Sequence, residues 1–474
     1  MLFNSAIFLF LFLPISLLLY YVVKNRTYRN TVLFAVNIIF YAFGEPFYIL
    51  LLLGSITFNY FFGLLIYKYR DTANRKKTFL IIAVAVNLFL LVFFKYLMMI
   101  QDAINAFIGL CKGQQFEVLK IALPIGISFY TFQSLSYIID VYRGTVEPQR
   151  NYINYGVYIA FFPQLIAGPI VRYSDVEFQM MNRVESTEKF AEGIRTFIIG
   201  LGQKVVLANY LAVVTDAIFN ASVSAIGAGD AWIGILSYTL QIYFDFAGYS
   251  LMAIGLAKMF GFDFPQNFNR PYLATSIKDF WRRWHITLSS WLRDYLYIPL
   301  GGNRKGAFRT YLNLIIVFTL CGLWHGANWT FVVWGLFHGL FLVLERLPFL
   351  QKLKKTPRAI KHVYTMFVVI IGWVFFRADN VGDAFKFIGN MFFANGAGFN
   401  VFVFDVKFAI IFAASVICCF PIASAINNKI VSSGREKLIL ASEITTYALL
   451  TLVLLLCVPV LISETANPFI YFKF

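Results

Sequence analysis

The chain has 474 residues, of which 59% are hydrophobic, 19% aromatic and only 14% charged. Soluble domains carry about 25% charged and about 45–50% apolar residues, so this much apolar surface needs lipid to cover it. The net charge of +16 is carried partly in short basic runs between apolar segments, namely Lys24/Arg26/Arg29, Lys68/Arg70/Arg75/Lys76/Lys77 and Lys352/Lys354/Lys355/Arg358/Lys361. That distribution marks loops facing the anionic lipid of the cytoplasmic leaflet and argues against a nucleic-acid partner. Cys111, Cys321, Cys418, Cys419 and Cys457 lie mostly inside apolar runs; their odd number argues against a disulfide framework, and the adjacent Cys418-Cys419 pair lacks metal-ligand spacing.

Residues 1–23 have no basic stretch before the apolar run and no small-residue cleavage site, so a permanent anchor with its N-terminus outside is expected. A spanning helix needs about 20 apolar residues. Spans are predicted at 5–23, 47–67, 79–100, 194–219, 231–260, 363–376, 406–426 and 443–463. Shorter or interrupted segments fall at 31–43, 120–139, 152–170 and 311–344. Segment 31–43 is short, so it should borrow residues before Thr31, with Arg29 snorkelling to the interface. The expected fold is an all-α polytopic membrane bundle of about 11–13 segments, read over residues 1–474 as a single domain.

The stretch 311–344 is too long for one span, about 50 Å at 1.5 Å per residue. Gly322, Gly326, Gly335 and Gly339 offer breaks, so a bent or re-entrant hairpin is predicted. Broken helices at membrane depth persist where they line an enclosed cavity, and His325 sits at one of these breaks. No internal repeat, linker or heptad run is visible.

Only four histidines occur: His285, His325, His338 and His362. Histidine titrates nearest neutral pH, and an ionisable group at membrane depth is costly unless it is used. His325 is followed by Gly326, which lets a substrate approach closely. Asn328, three residues on, is placed to orient the imidazole or to donate to a developing oxyanion. A core histidine bonded to a backbone carbonyl is the plainer alternative.

His285 belongs to 278–295, where Trp281, Trp284, Leu288, Trp291 and Tyr295 share one face at helical spacing. An interfacial helix is expected, with tryptophans at headgroup level and Arg282, Arg283 and Arg293 facing water, lipid phosphate or the phosphates of a nucleotide-bearing donor. His338 reads as structural and His362 as an ordinary loop residue. Asp245 stands in so apolar a context that it must be paired or neutral. An arginine of 278–309 is the expected partner, and lining a reaction cavity is the alternative. There is no Gly-x-Ser-x-Gly elbow, no Walker A loop and no His-Glu-x-x-His helix, so metal or nucleotide hydrolysis is disfavoured.

At Asp279-Phe280-Trp281-Arg282-Arg283-Trp284-His285 and Trp324-His325-Gly326-Ala327-Asn328-Trp329, the sequence resembles the membrane-bound O-acyltransferase family, and more narrowly its alginate O-acetyltransferase-like bacterial branch. The blocks FYAFGEP (40–46), LPIGISFYTFQSLSYIIDVYRG (123–144), FFPQLIAGPIVRY (161–173) and LRDYLYIPLGGNR (292–304) extend the likeness over most of the chain. The resemblance implies a helix bundle around a transmembrane tunnel, with His325 as the essential histidine and His285 as its second. Asn328, Trp324, Arg293, Asp294 and Asp245 complete the candidate substrate-binding set. It implies acetyl transfer from a cytoplasmic acetyl-CoA or acyl carrier, with no bound cofactor and no metal. It also implies a periplasmic or extracellular esterase-like partner, a polysaccharide acceptor and a bacterial inner-membrane location. Leu251 and Gln266 stand where acidic residues are expected in the alginate type. Leu251 is similar instead to the D-alanyl-transferring relatives, which keeps D-alanyl or other acyl transfer to a cell-wall polymer or lipid open. A lipid-linked sugar transporter is the rival from another class.

Overall fold

The computed structural model describes residues 2–347, 355–393, 395–462 and 469, and these contain helices and no strand. Lys352, Lys354 and the last residue of the 443–463 segment lie outside the described residues. Seven helices are long and apolar enough to cross a membrane: Ile49–Lys68, Ala73–Leu110, Thr187–Phe219, Ala228–Met259, Gly306–His325, Arg358–Arg377 and Glu436–Ile462. Val406–Cys418 and Ile422–Ser432 form a further bent pair, 53° apart in direction, where Pro421 opens the second helix. The all-α polytopic expectation is met.

The interrupted segments show why they were hard to read. The second helix does begin before Thr31, at Arg26, with the Asn25 side chain accepting from Tyr28 N at 3.0 Å. Segment 120–139 becomes helical only from Ile127, after Gly126 adopts a left-handed φ of +78°. A Cβ on Gly126 would lie 2.4 Å from the Leu165 carbonyl oxygen, so only glycine fits this close approach. Segment 152–170 splits into Tyr152–Ala160 and Phe162–Leu165, with the second piece started by Pro163.

Backbone contacts gather into two compact units, Met1–Gly193 with Leu256–Pro265, and Ile194–Gly255 with Gln266–Phe474. In the first, Arg29 does not snorkel. It is buried, and its guanidinium lies 3.1 Å from Glu185. Arg26 also pairs with Glu185, Tyr20 OH donates to it at 2.6 Å, and Arg183 approaches within 3.6 Å. Three guanidiniums on one half-buried carboxylate replace much of the solvent that each would otherwise need. The second unit holds the histidine motifs.

Burial raises the Glu185 pKa, but Arg26, Tyr20 and Arg183 outweigh it and hold the carboxyl down to about 2. A depressed carboxylate stabilises the fold above its unfolded pKa of about 4.3 and loses that contribution as pH falls through the folded value. Purified protein in detergent should therefore lose stability between about pH 4.3 and 2, and Glu185→Gln should lower the thermal midpoint at pH 7 and flatten that acid limb. The shift corresponds to roughly 3 kcal/mol as an upper figure, and thermal unfolding of both proteins against pH measures it.

Candidate active site

The predicted break falls between Gly306–His325 and Trp329–Leu344, so His325 ends one helix and Asn328 caps the next. Asn328 Oδ1 accepts from Thr330 N at 3.1 Å while its Nδ2 donates to the Asp379 carbonyl at 2.9 Å. Both ends of the amide are therefore occupied in holding the turn. The two helices return against each other at glycines. A Cβ on Gly322 would sit 2.1 Å from the Phe331 oxygen, and one on Gly335 2.2 Å from the Phe318 oxygen. This close crossing places His325 inside the protein, 3% exposed.

Aromatic rings enclose it. Trp324 and Trp334 each lie 5.1 Å from the His325 ring, and Phe376 lies 5.2 Å away, all edge-on. The Trp334 indole N–H is buried and has no hydrogen-bond partner among the described residues. An aromatic wall of this kind keeps water out while offering a donor in a medium where one hydrogen bond counts for more.

His285 lies 6.5 Å from His325 between ring centres and 5.8 Å from Trp324. The interfacial helix expected around it does not form. Two short helices, Ile277–Trp281 and Ile286–Leu292, are separated at His285, which is held in the left-handed region at φ +42°. Trp281, Trp284 and Trp291 are buried within the protein rather than set at headgroup level. The stretch is tied down by backbone bonds from Asn269 N to Arg283 O and from Ile286 N to Asn267 O, both 2.9 Å. A left-handed non-glycine residue costs about 1–2 kcal/mol and persists where surroundings over-determine it, a feature concentrated at functional sites.

Asn267 fixes the His285 tautomer. Its Oδ1 accepts from Thr287 N at 3.3 Å and from Thr287 Oγ1 at 2.8 Å, and it lies 3.0 Å from His285 Nδ1. Its Nδ2 donates to Ser250 Oγ at 3.1 Å, so the amide orientation is settled by its partners. Nδ1 must then carry the proton, leaving Nε2 as a bare lone pair that is buried without a partner among the described residues. Burial pushes the His285 pKa down to about 3, so the ring is neutral at physiological pH.

The structure thus brings His285, His325 and Trp324 together and engages other candidates elsewhere. Arg293 makes a two-pronged contact with its neighbour Asp294, at 2.7 and 3.0 Å, and is largely exposed. Asp245 pairs with Lys204 rather than with an arginine of 278–309, and both side chains are 3% exposed. Gly200 and Gly248 let the two backbones approach, since a Cβ on either would fall within 2.7 Å of backbone opposite. His338 accepts from Trp281 Nε1 at 3.4 Å and packs with Trp334 at 5.0 Å, matching the structural reading. His362 Nδ1 donates to the Ala274 carbonyl at 3.0 Å. No group of three potential metal ligands occurs among the described residues.

Sequence reasoning missed Lys204, Asn267, Trp334 and Phe376. Lys204 was legible as a cation in the middle of the apolar run 194–219, nine residues past Arg195 at its start. Asn267 carried no signal, being an ordinary loop asparagine 18 residues from the histidine it orients.

Buried histidines enclosed by tryptophans within a multi-pass helix bundle form a candidate site inside an integral membrane protein. The family model of membrane-bound O-acyltransferases matches residues 38–381, and the chain belongs to that family as an O-acyltransferase. It is 47% identical over 392 residues to the probable alginate O-acetylase AlgI of Azotobacter vinelandii, covering 83% of this chain and 78% of that protein. It is 39% identical over 431 residues to the peptidoglycan O-acetyltransferase of Helicobacter pylori, covering 84% and 80%. It is also 30% identical over 233 residues to the teichoic acid D-alanyltransferase of Bacillus subtilis, covering 46% and 58%. Family and spans together make it a multi-pass protein of the bacterial inner membrane.

Two consequences are testable. Removing one member of the buried ion pair, by Lys204→Met or Asp245→Leu, should destabilise by about 3–5 kcal/mol, whereas the double substitution should recover most of the loss; denaturant titration of the three variants in detergent measures this. Asn267→Leu should reduce acyl transfer by about 10–100-fold, as loss of an orienting partner does elsewhere. It should also shift the His285 tautomer balance, read from nitrogen-15 histidine chemical shifts.

Proposed function

We propose that the chain, acting as a single membrane domain, passes acetyl groups from cytoplasmic acetyl-CoA across the membrane for O-acetylation of a cell-surface polysaccharide. The observation that carries this reading is His325, buried at the turn of a membrane hairpin among three aromatic rings, in a chain similar to O-acetyltransferases acting on alginate and peptidoglycan. A donor made inside the cell and a polymer outside it give the reaction a reason to sit at membrane depth.

In this mechanism His325 takes the proton of an acceptor hydroxyl as its oxygen attacks the thioester carbonyl. The carbonyl becomes a tetrahedral oxyanion, the carbon–sulfur bond breaks, and the leaving thiolate takes the proton back from His325. General-base action of this kind contributes about 10²–10⁴-fold. His285 orients a donor group through its bare Nε2. It does not serve the oxyanion, because that nitrogen carries no proton. Asn328 holds the turn through its Oδ1 and one Nδ2 proton. The unspent indole N–H of Trp334, beside His325, is the donor assigned to the oxyanion, a contact of a kind typically worth about 10²–10³-fold. Trp324 walls the site, and an esterase-like periplasmic partner relays the group onward where transfer to the polymer is not direct.

Membranes carrying the wild-type protein should incorporate label from acetyl-labelled CoA into surface polymer. His325→Ala, expressed and folded to the same level, should lose at least 10²-fold of that incorporation. Normal transfer by His325→Ala would remove the histidine from the reaction.

A further inference from the structure

We propose that a cavity at the end of the helices opposite the basic loops is a saccharide-binding subsite for the acceptor polymer near His325. The proposal rests on the O-acetyl transfer reading and assigns residues to its acceptor side. The cavity has a volume of about 700 Å³ and is formed by the end of the Asn209–Phe219 helix, the loop 220–226, the end of Arg358–Arg377 and the Val381–Met391 helix. That volume lies within the roughly 300–1,000 Å³ of small-molecule sites.

Its place follows from the helix directions. Gly306–His325 starts beside Arg304, Lys305 and Arg309, and Arg358–Arg377 starts within the basic sequence run 351–361. Basic loops mark the cytoplasmic side, so His325 and Arg377 lie toward the outer side. Two contacts tie the cavity to the histidine. Phe376 packs on His325 at 5.2 Å and is followed directly by Arg377, which lines the cavity. Asp379, also lining it, holds the Asn328 side chain through its carbonyl at 2.9 Å.

The lining has the chemistry of a hydroxyl-rich ligand. Arg377 is 15% exposed, and its Nη2 reaches Asp216 at 2.8 Å and Asn220 at 3.5 Å. The guanidinium also lies over the Phe219 ring, 5.2 Å from its centroid. Asn390 is 3% exposed and donates from Nδ2 to the Val223 carbonyl at 2.6 Å. Ser222 and Ser224 pair at the exposed mouth, 2.8 Å apart. The side formed by Phe219 stacked on Phe387, at 4.4 Å and 12°, is apolar and stiff. Cations and carboxylates balance, Arg377 and Lys386 against Asp379 and Asp383, which suits sugar hydroxyls better than a polyphosphate or a strongly acidic peptide.

The test is equilibrium binding to the purified full-length protein in detergent, with no acyl donor present. A β-1,4-linked mannuronate tetrasaccharide and a β-1,4-linked N-acetylglucosamine tetrasaccharide serve as probes. Wild type and His325→Ala should bind one of them equally. Ser224→Trp, which fills the mouth from an exposed loop, and Asp379→Ala should each weaken binding about tenfold or more at an unchanged thermal midpoint. Binding of neither probe by wild type, or unchanged binding by Ser224→Trp, overturns the proposal. So does a Ser224→Trp protein that binds saccharide normally yet no longer hands acetyl groups to a purified esterase-like partner, since the cavity would then dock a protein. Because no donor is present, failure here leaves the transfer reading standing, and loss of transfer in the labelled-donor assay would leave saccharide binding unaffected.

Discussion

The crossing of Gly306–His325 over Trp329–Leu344 is the constraint on which the site depends. A helix that stops at membrane depth exposes carbonyls and N–H groups that lipid cannot satisfy. The turn is tolerable because Asn328 supplies an acceptor to Thr330 N and a donor to the Asp379 carbonyl, while Gly322 and Gly335 let the returning backbone close the gap. Any side chain at those glycines would push the helices apart and carry His325 out of its aromatic enclosure. The motif around the histidine is therefore as much a way of ending a helix in an apolar medium as a source of chemistry.

The same problem, polar groups without water, is solved locally in other parts of the chain. Asp230 at the start of Ala228–Met259 accepts four backbone N–H bonds, from Gly227, Asn400, Val401 and Phe402, at 2.7–3.1 Å. Lys204 and Asp245 neutralise each other, and Glu185 serves three arginines. These groups are bound to one another and so fix geometry, whereas the polar atoms left over have another character. His285 Nε2 and the Trp334 indole N–H, both buried without a partner among the described residues, lie in the proposed reaction site. Unsatisfied groups in a native interior call for a ligand, a water or a chemical role.

Asn267 links the two themes. It contributes no chemistry itself, yet its three hydrogen-bonded donors settle which nitrogen of His285 carries the proton and so separate the roles of the two histidines. His285 is held neutral and acceptor-only, strained at positive φ, while His325 ends a helix within reach of the outer cavity. The two histidines of the motifs thus sit in different environments, and one asparagine oxygen sets that of His285.

Composition alone determined that the chain lives in lipid, because so little charge cannot dissolve so much apolar surface. Segment length against bilayer thickness determined the long spans and required the break within 311–344, and the cost of an intramembrane imidazole singled out His325. Tertiary structure decided the rest. The spacing of Trp281, Trp284 and Trp291 suggested one interfacial helix, but the left-handed turn at His285 and burial of the indoles arise from contacts with residues 267–269, distant in sequence. Asp245 announced that it needed a partner, yet only the glycine-lined approach of two helices chose Lys204 over the nearby arginines. Asn328 stood three residues from His325 and read as its assistant, and the turn claimed both of its polar ends. Local pattern reports what a residue requires of its surroundings, whereas the identity of the group that supplies it depends on which distant segments can come close, and that is fixed by packing.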